Sequence, residues 1–185
     1  MAIELDESII EAAGDLQDEM RGVADLERGE VKWVKPEAMH LTLKFLGEVD
    51  GSRIAEICDI VGKTAHKHSS FRLEVEGAGS FGKPAKVLWM GVAKNERLTA
   101  LQKDIEKSLA KAGWPEEERA FASHLTLCRI NSSFAGRKLA EIADDYKDTH
   151  FGSFAVDSVC VLQSELSTVG PRYTMILKKC KLKDA

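Results

Sequence analysis

An α+β fold of two similar lobes around a central cleft is predicted by three observations. Amphipathic helices alternate with short strands along the 185 residues. The element order runs through twice. The tetrapeptide His-Leu-Thr-Leu also occurs twice, at 40–43 and 124–127, so its histidines lie 84 positions apart. Each copy reads as a strand, with strand-forming residues in apolar–polar alternation. Residues two apart on a strand share a face. His40 therefore projects with Thr42, and His124 with Thr126, while the leucines point the other way. A pseudo-two-fold axis between antiparallel-sheet lobes would make the motif strands opposite walls of one cleft. The chain is expected to be one domain, 1–185, whose lobes contribute one motif each.

The elements follow in order. A short strand at 2–5 opens the chain. Asp6 or Ser8 offers an N-cap for an amphipathic helix over about 7–28, with Ile9, Ala13, Leu16, Met20 and Val23 at helical spacing and Gly29 at its end. A strand at 31–34 and a turn at Pro36 lead to the first motif strand, 40–46. Ser52 caps a second helix carrying Ile54, Ile57, Cys58, Val61 and Ala65 on one face. Phe71, Leu73 and Val75 alternate with charged residues as a strand exposed on one side. The glycine-rich stretch 77–84 reads as a connection to an apolar strand at 87–92. Asn95 opens a third helix, and a polar connector leads to the second motif strand, 122–130. A fourth helix is marked by Leu139, Ile142 and Tyr146. A strand at 154–162, a loop at 164–171 and a last strand at 173–177 close the chain.

Composition narrows the function. Hydrophobic residues make up 44% and charged residues 30%, the balance of a globular protein able to bury a core. No apolar run approaches the ~18–20 residues that span a bilayer. No basic segment followed by an apolar one marks a secretory signal, so a cytoplasmic protein without a membrane partner is expected. The four cysteines form no C-x-x-C pair and are expected as reduced thiols. A formal net charge of −4 argues against a broad grip on duplex nucleic acid. It leaves room for a narrow site that holds one nucleotide or an RNA end. A monomer is expected.

The paired motifs carry the chemistry. Two facing histidines supply a general base and a general acid near neutral pH. Two threonine hydroxyls can hold non-bridging phosphate oxygens as charge builds there. This fits metal-free opening of a phosphodiester whose leaving oxygen needs a proton, such as a 2′,3′-cyclic phosphate. The symmetry of the motifs leaves open which histidine is the acid.

The sequence resembles the 2H phosphoesterases, named for two H-x-[ST]-x motifs, and within them the RNA 2′,3′-cyclic phosphodiesterase, or 2′-5′ RNA ligase-like, family. The resemblance lies in 33–48, WVKPEAMHLTLKFLGE, in 87–92, VLWMGV, and in 124–129, HLTLCR. It implies hydrolysis of RNA 2′,3′-cyclic phosphate ends to 2′-phosphates without metal or other cofactor. It implies that His40 is the proton donor and His124 the proton acceptor, with Thr42 and Thr126 on the phosphate. The implied partner is RNA with a cyclic-phosphate end or a small cyclic nucleotide. Ligation to a 2′-5′ bond with the same residues, or a non-catalytic nucleotide-binding module, are the alternatives. Members of that family usually begin with several more residues, so either a shortened first strand or a start upstream of Met1 is expected, which affects the edge of one sheet and not the site.

Phe45 and Arg129 each lie five residues after a motif histidine, and simple alternation turns them away from it. The resemblance instead implies that both line the site, Arg129 near the phosphate and an aromatic near the base, which requires a bulge. Lys44 shares the histidine face and is expected in solvent or against RNA. Trp33 and Trp89 read as core. His66 and His68 suit the end of the second helix and lack a third metal ligand. His150 reads as a loop residue, and the 77–84 stretch lacks the GK[ST] ending of a P-loop.

Overall fold

The computed structural model describes residues 1–167 and 170–184, the side chains at 164–178 excepted. It contains nine strands and four helices among these residues. They are β1 (Ala2–Ile3), α1 (Glu7–Ala24), β2 (Val31–Trp33), β3 (Leu41–Thr42), α2 (Ile54–Ala65), β4 (Phe71–Phe81), β5 (Val87–Val92), α3 (Glu96–Ala110), β6 (His124–Ile130), α4 (Ser133–Asp144), β7 (His150–Val156), β8 (Ser158–Ser167) and β9 (Gly170–Lys181). The fold is α+β with two antiparallel sheets. One has the order β3-β1-β8-β9, the other β2-β6-β5-β4-β7. Helices α2 and α3 pack together, with α2 against β8 and β9. Helix α1 packs on β7 and α4, and α4 on β4 and β5. One continuous apolar core joins both layers.

The first motif lies in the four-stranded sheet and the second in the five-stranded sheet. The hairpin that follows each motif joins the other motif's sheet: β4–β5 pairs with β6, while β8 of β8–β9 pairs with β1, which pairs with β3. The halves are thus interleaved. Strand β3 nevertheless lies against β6, which brings the two motifs together from different sheets.

Several boundaries differ from the sequence expectation. Helix α1 ends at Ala24 because Asp25 takes the left-handed conformation (φ 43°), which aspartate tolerates. The cap before α2 is Asp50, not Ser52. Its carboxylate accepts from the Ser52 amide (2.8 Å) at a 3-10 turn, Gly51–Arg53. Asn95 does cap α3, accepting from the Leu98 amide. The stretch from Gly77 to Phe81 is not a connection but the end of β4. Gly77, at φ 72°, absorbs a bulge between Val75 and Ala78. The predicted 154–162 strand breaks at Asp157, where the chain passes from one sheet to the other. His150 is in β7 and meets the Glu74 carboxylate (2.9 Å). The predicted 164–171 loop is largely strand, and its centre, 168–169, lies outside the described residues. Strand β1 is internal, between β3 and β8, not a sheet edge. The four cysteines are free thiols. No helix among the described residues is long and apolar enough to cross a membrane.

Candidate active site

The two histidines are held alike. Nδ1 of His40 lies 3.1 Å from the Ala38 carbonyl, and Nδ1 of His124 lies 2.8 Å from the Ala122 carbonyl. A carbonyl oxygen only accepts, so each Nδ1 carries the hydrogen and donates it. In the neutral ring the lone pair is then on Nε2. Each motif thus fixes its own tautomer through a carbonyl two residues back. Both rings are half-buried, Thr42 is exposed and Thr126 half-buried.

His40 titrates below the ordinary histidine range because burial penalises its charged form. The hydrogen bond to Ala38 opposes the shift, and the nearby N-terminal ammonium adds to it.

Alternation breaks at the same place in both motifs. Leu125 is buried, Thr126 half-buried, Leu127 and Cys128 are both buried, and Arg129 is exposed. In the first motif Leu41 is buried, Thr42 exposed, Leu43 and Lys44 both buried, and Phe45 exposed. Each buried doublet shifts the pattern by one residue. In β6 the shift is a bulge, because Trp89 pairs with Thr126 and Leu88 with Cys128, leaving Leu127 unmatched. Directly opposed residues share a face. Gly91 with His124, Trp89 with Thr126, and Val87 with Arg129 therefore lie on one face of the five-stranded sheet. In the first motif the chain leaves the ladder after Thr42, and the amides of Leu43 and Lys44 both point at the Met1 carbonyl (2.9 and 3.4 Å). The bulge brings Arg129 to the face of His124 and Thr126. Phe45 is 78% exposed.

Lys44 is a correction. Alternation placed it in solvent with His40, yet the doublet buries it, and its ammonium pairs with Glu106 of α3 and donates to the Pro115 carbonyl (2.9 Å). The aromatic beside His124 is Phe81, which sequence reasoning missed. Its ring stands edge-to-face on the imidazole, with centroids 5.0 Å apart and planes at 87°. The signal was hidden because Phe81 falls in the stretch read as a connection. Trp89 is not simple core either. Its half-buried ring lies across Gly79, where a Cβ would come within 2.6 Å of it, and tilts against Phe81 (5.4 Å). Its Nε1 is a buried donor without a hydrogen-bond acceptor among the described residues. Phe81, Trp89, Phe121, Leu98, Lys94 and His124 border a cavity of about 480 Å³. His68 meets Asp104 (3.0 Å), and no three His, Cys, Asp or Glu side chains converge as a metal site among the described residues.

The arrangement offers two imidazoles of fixed tautomer, a hydroxyl beside each, an arginine on one wall and an aromatic cavity next to His124. The 2′-5′ RNA ligase superfamily matches residues 10–168. A Methanothermobacter thermautotrophicus protein named RNA 2′,3′-cyclic phosphodiesterase is 34% identical over 176 residues, 94% of this chain and 93% of its own. The protein of that name from Archaeoglobus fulgidus is 33% identical over 178 residues, 94% of each chain. Among solved structures, E. coli LigT complexed with 3′-AMP is 25% identical, covers 98% of this chain and 95% of its own, and superposes with a TM-score of 0.78. By the extent of these matches, the chain belongs to the 2′-5′ RNA ligase superfamily.

Proposed function

We propose that this protein hydrolyses RNA 2′,3′-cyclic phosphate ends to 2′-phosphomonoesters, without a metal ion, by acid–base catalysis between His40 and His124. The observation that carries this reading is the matched pair of histidines, each fixed with Nδ1 on a backbone carbonyl and each followed two residues on by a threonine. Relatives named for this activity support it over nearly the full chain length.

In the reaction, water attacks phosphorus while His124 Nε2 takes its proton. The P–O3′ bond breaks, and protonated His40 gives its proton from Nε2 to the departing O3′. The phosphate remains on O2′, and exchange with solvent resets both rings. Thr42 and Thr126 donate to the non-bridging oxygens, and Arg129 offsets the charge that builds on them. The lowered pKa of His40 favours its neutral form in the empty cleft. An anionic diester between the rings opposes that shift, because a nearby negative charge favours the imidazolium. The aromatic cavity beside His124 suits the nucleobase.

One observation favours a second reading, with the roles exchanged. Taken alone, the downward shift of His40 suits a proton acceptor.

The test is an RNA oligonucleotide ending in a 2′,3′-cyclic phosphate, incubated with the protein and a chelator. Hydrolysis that persists is expected. Activity abolished by the chelator and restored by metal would end the metal-free mechanism. Joining to an added 5′-hydroxyl RNA that outpaces hydrolysis would make the protein a ligase. Tight binding without turnover would make it a binding module.

A further inference from the structure

Two buried glutamines hold the two motifs at equivalent atoms. Gln17 of α1 is fully buried. Its Nε2 donates to the carbonyls of Val34 and Leu127, both at 2.8 Å, and its Oε1 accepts from Arg21 (3.2 Å). Gln102 of α3, 85 positions later, is buried as well. Its Nε2 makes a long contact to the Leu43 carbonyl (3.5 Å) and donates to Glu106 (3.2 Å). Leu43 and Leu127 are the same position of the two motifs, the fourth residue and the first of the buried doublet. The helix that precedes the first motif thus holds the second, and the helix that precedes the second holds the first.

A polar amide on the core face of a helix is costly unless it is fully bonded, and an apolar side chain would fill the same space. Gln17 stands where β2 leaves β6. The Leu127 carbonyl, on the unmatched residue of the bulge, accepts from the Val34 amide (2.9 Å) as well as from Gln17. The Val34 carbonyl accepts from Gln17 too, so one side-chain amide clamps both strands where their regular pairing stops. That clamp sits at the point where alternation shifts. Losing the bulge would move every later side chain to the opposite face, sending Arg129 toward the core and Cys128 toward the cleft.

We propose that Gln17 is a positioning residue whose clamp on Val34 and Leu127 maintains the β6 bulge and so keeps Arg129 on the face of His124 and Thr126. Gln102 makes the weaker equivalent contact for the first motif. The catalytic part rests on the reading that Arg129 contacts the phosphate.

The test is a double-mutant cycle on the full chain with a 2′,3′-cyclic-phosphate RNA end, read as kcat/KM. Gln17→Met keeps length and removes the amide. Gln17→Met and Arg129→Ala are each expected to lower kcat/KM about 10- to 100-fold, the scale of a lost charge-assisted hydrogen bond. The double variant is expected to match Arg129→Ala alone, since Gln17 acts through Arg129. Multiplying effects, or wild-type kcat/KM in Gln17→Met, would overturn the inference. A second readout is thiol labelling of Cys128, located by peptide mass, below the unfolding range of denaturant. Cys128 is fully buried in the native fold, where burial pushes its thiol up to about 12. Faster labelling of Cys128 alone is expected in Gln17→Met, and native-like protection would contradict the clamp. If Arg129→Ala is fully active, the phosphate role of Arg129 fails and the labelling decides the clamp by itself. If Gln17→Met does not fold, Gln17→Asn keeps the amide with shorter reach and replaces it in both measurements.

Discussion

At the scale of residues, the proposed mechanism requires two identical side chains to play different parts. The sequence makes His40 and His124 look alike, and their Nδ1 hydrogen bonds keep them alike. Burial, with a smaller push from the nearby ammonium, lowers the pKa of His40. Replacing either histidine with alanine is expected to reduce kcat by about 10²- to 10⁴-fold, the usual worth of a general acid or base, with the far-UV circular dichroism unchanged. A cyclic phosphate with sulfur in place of the bridging 3′ oxygen tells the roles apart, because a thiolate leaves without a proton. Activity is expected to return in His40→Ala and not in His124→Ala, and the opposite pattern would exchange them. The pH profile carries the same information. A donor must enter protonated, so kcat/KM is lost as pH rises through the pKa of His40 in the free protein. That limb is expected below the unperturbed value of ~6.5. Exchanged roles would make it the acid limb, with activity lost as pH falls through it.

At the scale of elements, the first motif pairs as strand only at Leu41–Thr42 of the expected 40–46, whereas the second motif strand and the shared face of His124 and Thr126 were legible from period two. The doublets were not, because Leu43–Lys44 and Leu127–Cys128 give no local sign of two successive inward residues. Lys44 is the clearest case, since a lysine two residues past Thr42 reads as solvent-facing until its partner on α3 is known. The Lys44–Glu106 pair is nearly dry, with side-chain exposures of 5% and 10%. Lys44→Met leaves a carboxylate buried without its cation and is expected to cost about 3–5 kcal/mol by urea unfolding. The double change Lys44→Met with Glu106→Leu is expected to cost less than Lys44→Met alone. The glycines of β4 were misread as loop formers. Gly79 is in strand because only its bare Cα leaves room for the Trp89 ring. Gly79→Ala is expected to destabilise the fold by about 1–3 kcal/mol, as overpacking does, and to shift the tryptophan emission.

At the scale of the whole molecule, the repeat was readable and the exchange of hairpins between sheets was not. Strands adjacent in sequence usually pair, and nothing in the order of elements says that β4–β5 and β8–β9 each join the opposite motif's sheet. The interleaving couples both motifs to both sheets. It predicts one cooperative transition over 1–185, with tryptophan emission and circular dichroism tracing the same urea curve. Two separated transitions would mean that the sheets unfold independently. The exchange also explains why each helix holds the other half's motif, as Gln17 holds Leu127 and Gln102 contacts Leu43. The central claim is that the two motif histidines together open a cyclic phosphate without metal. Its most direct test is to incubate a 2′,3′-cyclic-phosphate RNA end under chelation with the wild-type protein, His40→Ala and His124→Ala, and to assign the product phosphate by phosphorus NMR. The account predicts a 2′-phosphate from the wild type and near-loss of turnover in each folded variant. A 3′-phosphate product, or a wild-type rate from either variant, would contradict it.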